Sequence, residues 1–247
     1  MRNFEQHQAE IQANLNYWEQ KPVLRTIYDD FYRLIIERAD QTIEGKIVEI
    51  GSGIGNLKKL IPNCICTDVF NNPWIDQTEN AYKLSFKDDE ISNLILFDVW
   101  HHLEFPVVAI NEFQRVLTKK GRILIFEPCT SLLGDIVYGL FHPEGLGLFK
   151  KINTASIDVD LNNLSYYAAQ GNASRFFFKK KYRSCLSGFS ILYIEKIAAL
   201  AYILSGGYSK KQLFPDKYYP SLKKIESGLQ KMPAIFATRL LVVLEKI

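Results

Sequence analysis

The chain has 247 residues, 47% of them hydrophobic and 23% charged, a balance that supports one large folded domain and excludes a disordered or low-complexity protein. Its formal net charge of +3 is too small to argue for nucleic acid as the partner. The four cysteines, Cys64, Cys66, Cys129 and Cys185, include no C-x-x-C pair, so neither a metal centre nor a disulfide framework is indicated, and a reducing cytoplasm is expected.

Residues 1–44 read as helices. The N-terminus is polar, so no signal peptide is expected. Phe4, Ile11, Leu15 and Trp18 recur near helical spacing, and Pro22 breaks the pattern. A second helix follows over about 23–39, with Leu24, Ile27, Tyr28, Phe31, Leu34 and Ile35 on one stripe.

The chain is organised around Ile47-Val48-Glu49-Ile50-Gly51-Ser52-Gly53-Ile54-Gly55-Asn56. The apolar run suits a strand buried on both faces. Three glycines at alternate positions then make a turn that tolerates positive φ and lets a ligand approach the backbone. A helix is expected over 56–60, its free N–H groups favouring an anion. The dinucleotide fingerprint G-x-G-x-x-G is not matched, because the third glycine comes one residue early; a nicotinamide oxidoreductase is disfavoured on that ground. The acid before the glycines completes E-x-G-x-G-x-G, which resembles motif I of the class I S-adenosylmethionine (SAM)-dependent methyltransferases.

Further features follow in that family's order. Residues 64–69 read as the second strand, ending in Asp68, a carboxylate placed to accept bonds from both ribose hydroxyls. The stretch Asn80-Ala81-Tyr82-Lys83-Leu84-Ser85-Phe86 resembles the family's D-A-x-x-L-P-F, with Asn80 in place of the adenine-binding acid and Ser85 in place of proline. Asn80 can still accept a bond through its carbonyl. A strand over 94–97 leads into Asp98-Val99-Trp100-His101-His102-Leu103-Glu104-Phe105-Pro106, similar to the H-H-x-x-x-P segment of the UbiE-like and type 11 group. A helix over 107–117, a glycine C-cap at Gly121 and a strand over 122–128 complete the match, which covers residues 45–130.

The resemblance implies a Rossmann-like α/β fold with a seven-stranded sheet, helices on both faces and an inserted cap after strand five. It implies SAM as cofactor, held by Glu49, Gly51, Ser52, Gly53, Asn56, Asp68, Val69, Asn80, Ala81, Phe97 and Asp98. The N-terminal helices then serve as a lid, with Tyr17, Trp18, Lys21, Arg25 and Tyr28 as candidates for its inner face. Methyl transfer rests on positioning the acceptor in line and excluding water, with a base needed only for an acceptor proton of high pKa. His101, His102, His142 and Glu127 are the candidate bases.

Beyond residue 130 the pattern thins. Residues 131–188 are expected to form a cap that, with a helix over 198–204, roofs a mostly apolar acceptor pocket. Its aromatics are Tyr138, Phe141, Phe149, Tyr166, Tyr167, Phe176, Phe177 and Phe178, and its basic rim is Lys179, Lys180, Lys181 and Arg183. Such a rim would meet a phosphate or an anionic membrane surface. Residues 189–247 complete the domain: a strand at about 187–195, a helix at 219–231 and a last strand at 240–245, expected antiparallel at the sheet's edge. No stretch is apolar enough to span a bilayer. The expected function is methyl transfer to a small, lipid-linked or sugar-linked acceptor, O-methylation before C- or N-methylation. A non-catalytic SAM-binding regulator on the same fold is the alternative, and the oligomeric state is open.

Overall fold

The computed structural model describes residues 2–140, 145–161 and 166–247. In chain order the elements are α1 (Arg2–Gln20), α2 (Pro22–Ile36), β1 (Lys46–Ile50), β2 (Ile65–Asp68), β3 (Gln77–Thr78), β4 (Ile91–Phe97), α3 (Pro106–Val116), β5 (Leu117–Pro128), α4 (Leu132–Leu140), α5 (Asn172–Phe178), β6 (Phe189–Ile197), α6 (Leu200–Ser205), α7 (Tyr219–Leu229), α8 (Pro233–Phe236) and β7 (Arg239–Lys246).

The strands form one seven-stranded sheet in the order β3-β2-β1-β4-β5-β7-β6. The pairs from β3 to β5 are parallel, and β7 is antiparallel to both its neighbours. The last strand therefore lies inside the sheet, and the edge belongs to β6. The burial of β7 gives the reason: its first six residues are all buried, a pattern only a strand covered on both faces can carry.

Each central strand feeds two cores, because side chains alternate across the sheet. Leu94, Leu96, Ile123, Ile125, Leu240 and Val242 pack on one face with α3 and α5. Ile95, Phe97, Leu124, Phe126, Leu241 and Val243 pack on the other with α2 and α6.

Two local expectations are corrected. The expected helix after the glycine turn is a short 3₁₀ helix over Asn56–Lys59 rather than an α-helix, so it presents no extended set of aligned N–H groups. The left-handed residue after α3 is Lys120 (φ 62°), not Gly121. β5 starts directly after α3, so no glycine C-cap forms; Gly121 is needed instead because a Cβ there would sit 2.8 Å from the Thr118 carbonyl.

Candidate active site

At the carboxyl ends of the parallel strands the glycine turn opens into a cavity of about 390 Å³. Gly51, Gly53 and Gly55 all take left-handed φ, at 70°, 53° and 63°. A Cβ added at Gly53 would meet nothing within 4 Å. That empty space is part of the cavity, so the backbone here forms a cradle that a side chain would fill. Ser52 locks the turn: its N–H donates to Thr67 O (2.8 Å) and its hydroxyl accepts from Thr67 N (3.0 Å).

Asp68 closes one end of this cavity. Its carboxylate accepts from Gly53 N (3.1 Å) and Val69 N (2.7 Å). His7 of α1 brings Nε2 to 3.1 Å from Asp68 Oδ1. Burial lowers the His7 pKa, but the Asp68 and Glu10 carboxylates together outweigh it and the net shift is upward. Glu49 lies under the turn, buried, with its pKa raised well above the usual carboxylate range by desolvation. Asn80 also lines the cavity, but its side-chain carbonyl already accepts from Tyr82 N (3.0 Å).

All eleven expected cofactor residues, Glu49, Gly51, Ser52, Gly53, Asn56, Asp68, Val69, Asn80, Ala81, Phe97 and Asp98, line this one cavity. So do His7, Glu10, Ile11 and Asn14, which the sequence reading overlooked. Their spacing of i, i+3, i+4 and i+7 is a single helix face, and that stripe was the available signal. Of the five lid candidates only Tyr28 lines the cavity. Lys21 instead donates Nζ to the carbonyls of Ser205 (3.0 Å), Gly207 (2.6 Å) and Lys210; its pKa is pushed down to about 8 by burial. Arg25 donates to Trp18 O and Glu19 O at the end of α1.

A second, larger cavity of about 1100 Å³ adjoins the first, sharing Glu10, Asn14, Tyr28, Asp98, His102, Tyr166 and Tyr208 as walls. Asp98 stands at the boundary in the left-handed region (φ 57°), unusual for a non-glycine residue and held by its N–H bond to Phe126 O (2.9 Å). Its carboxylate accepts from Arg239 Nη2 (2.7 Å). Burial raises the Asp98 pKa, and Arg239 opposes that rise. Arg239 is only 1% exposed. It lies against the rings of Phe126, Tyr202 and Phe97 at 4.7, 5.1 and 5.3 Å.

His101 lines the larger cavity and pairs through Nδ1 with Glu127 Oε2 (2.7 Å); Glu127 is fully buried and also accepts from Trp100 N (2.6 Å). His102 lines both cavities, with Nδ1 2.9 Å from Tyr167 O. His142 lies outside the described residues. The ligand atoms of Asp98, His101 and Glu127 fall within 4.8 Å of one another. Arg239 already supplies the positive charge beside them, and Glu127 is spent on His101 and Trp100, so the cluster reads as an ion-paired network.

The segment expected as the cap gives the larger cavity Val137, Tyr138, Gly145, Lys150, Tyr166, Ala168 and Gln170, and α6 with the turn after it gives Tyr202, Ile203, Gly206 and Gly207. The expected basic rim is displaced. Lys179, Lys180, Lys181 and Arg183 line neither cavity. The 3₁₀ segment that carries most of them buries Tyr182 and Leu186 in the core and leaves the cations in solvent. The lysines at the larger cavity are Lys150, Lys210 and Lys211. Phe176 and Phe177 pack on Trp100 at 5.1 and 4.8 Å and belong to the core, while Phe141 is outside the described residues.

Residues 48–125 match the methyltransferase domain family Methyltransf_11. Among curated proteins no sequence matches the chain. Among solved structures, a SAM-dependent methyltransferase of Thermotoga maritima, described as a possible histamine N-methyltransferase, is similar at 12% identity and a TM-score of 0.53, covering 97% of this chain and 99% of that one. The geranyl diphosphate C-methyltransferase of Streptomyces coelicolor A3(2) is similar at 10% identity and a TM-score of 0.53, covering 89% of this chain and 76% of that one.

Proposed function

We propose that this chain, a class I SAM-dependent methyltransferase by its domain and fold, carries the methyl group of SAM to an acceptor held in the larger cavity, and that O-methylation is its reaction. The observation that supports this reading is the shared wall. Asp98 and His102 line both cavities, so an acceptor in the larger one would lie against a cofactor in the smaller one.

SAM supplies an activated methyl on a sulfonium whose departure needs no acid. The chain's own residues then have three tasks. The glycine turn and Asp68 hold the cofactor, with carboxylate oxygens set for hydroxyl donors. The walls Tyr28, Tyr166 and Tyr208 exclude water where the two cavities meet. His101 takes the acceptor's proton: with Glu127 accepting at Nδ1–H, Nε2 is the basic nitrogen of the ring. The size and mixed lining of the larger cavity favour an acceptor with an extended apolar part, lipid-linked or sugar-linked.

Incubation with radiolabelled SAM and extracts separated into lipid, glycan and small-molecule fractions tests this. Label should enter one fraction as a base-stable methyl ether, and His101→Gln should abolish the transfer while calorimetry shows SAM binding intact. Label recovered as an N-methyl or C-methyl product would overturn the O-methyl reading.

A further inference from the structure

We propose that the face around the mouth of the larger cavity docks on an anionic lipid surface, so that the protein works while lying on a membrane. The proposal rests on an exposed face and stands apart from the choice of acceptor atom.

Helix α4 carries the first observation. Its inner face buries Gly134 and Tyr138, the latter donating its hydroxyl to Thr238 O (2.7 Å). Its outer face is Leu132, Ile136 and Leu140, at four-residue spacing and 62%, 45% and 74% exposed. A helix lying on a soluble protein shows polar residues there. Helix α8 packs beside α4, and its Ile235 and the preceding Met232 are both exposed. Leu213, which lines the larger cavity, is also exposed, and Phe149, next in sequence to the cavity residue Lys150, is 99% exposed. A row of exposed apolar residues along one helix face, with more on the helix packed beside it, marks an interaction site, whereas single exposed apolar residues do not.

The charges around the patch choose its occupant. Lys150, Lys151, Lys210, Lys211 and Lys231 are all exposed. The one acid on α4, Asp135, is partly withdrawn from solvent and feels the attraction of Lys196. Protein interfaces are depleted in lysine, while an apolar strip fringed by lysines is the chemistry of an element that sinks among anionic headgroups. Among the described residues no helix is long and apolar enough to cross a membrane, so the contact is a surface one.

The position of the face carries the consequence. Val137 of α4 lines the larger cavity together with Lys150, Lys210, Lys211 and Leu213. Helix α4, which carries the apolar strip, thus shares the wall of the cavity with three of the exposed lysines. A protein seated there would open its larger cavity toward the lipid, and an amphiphilic acceptor could enter without crossing water.

Co-sedimentation of the full chain with vesicles tests the proposal. Vesicles of phosphatidylcholine mixed with phosphatidylglycerol should pellet the protein at low salt and release it at high salt, and pure phosphatidylcholine should pellet little. The pair Ile136→Asp and Leu140→Asp should weaken vesicle binding by about tenfold or more, with SAM affinity and thermal midpoint unchanged. Lys210→Glu with Lys211→Glu, which leaves α4 intact, should do the same. Wild-type protein left in the supernatant, equal pelleting by the variants, or equal pelleting on neutral and anionic vesicles would overturn the proposal. So would light scattering that shows a dimer for wild type and a monomer for the α4 variant, because the face would then cover a second copy.

Discussion

Gly53 shows how one residue divides folding from binding. Its φ of 53° costs a β-branched side chain of order 1–2 kcal/mol, which a domain of this size tolerates. The same side chain would project into the cavity, where nothing opposes it within 4 Å. Gly53→Val should therefore abolish SAM binding while circular dichroism reports a folded protein; unchanged SAM affinity would remove the glycine turn from the site. Asp68 is the complementary case, a charge whose bonds to backbone N–H groups point it at the cavity. Asp68→Ala should weaken SAM by about 1.5–3 kcal/mol, the worth of a charge-assisted hydrogen bond, read by calorimetry.

His7 adds a pH dependence to that carboxylate. Because its folded pKa is raised above 6.5, the attraction to Asp68 is fully present below the ordinary histidine value and is lost as pH rises through the raised one. Under the proposed function the ribose hydroxyls would compete with His7 for this carboxylate. SAM affinity should then improve as pH rises past 6.5 and through the raised His7 value, and His7→Gln should flatten the profile. A wild-type profile that is already flat would show that His7 leaves Asp68 without any titration.

At the scale of elements, what the sequence made legible follows from how local each signal is. β1, the glycine turn and β2 depend on near neighbours in sequence, and the residues expected there to hold a cofactor fall together on one cavity. The His101–Glu127 pair joins two strand ends that the family pattern already set in order. Arg239 was not legible. It stands one residue ahead of an apolar run, and only the insertion of β7 between β5 and β6 brings it to Asp98. Lys21 misled for the same reason: a lysine after a helix reads as a lid residue until α6 is seen to end on it. Its ammonium satisfies carbonyls that α6 and the turn after it leave without partners. Lys21→Met keeps the stem and removes the donors, so it should lower stability by about 1.5–3 kcal/mol in urea unfolding. SAM affinity in the folded fraction should be little changed, since Lys21 lines neither cavity.

For the whole molecule, the Asp98–Arg239 pair is where the parallel and antiparallel halves of the sheet are tied. Asp98 follows β4 on the parallel side, and Arg239 opens β7, the strand that reverses direction. The aromatic rings around the guanidinium come from α2, β4, β5 and α6, so one cation contacts four elements. Removing it leaves a carboxylate beside a carboxylate, since Glu127 raises the Asp98 pKa further. Breaking one side of a buried pair costs about 3–5 kcal/mol. Asp98 is 27% exposed where it meets the cavities, which places Arg239→Met near the low end, about 3 kcal/mol. Asp98→Asn in the Arg239→Met background should recover part of that loss, because the uncompensated charge is gone, and the urea midpoints of the four proteins form the cycle that measures it. Additive losses in the double variant would mean that the two residues stabilise the sheet independently.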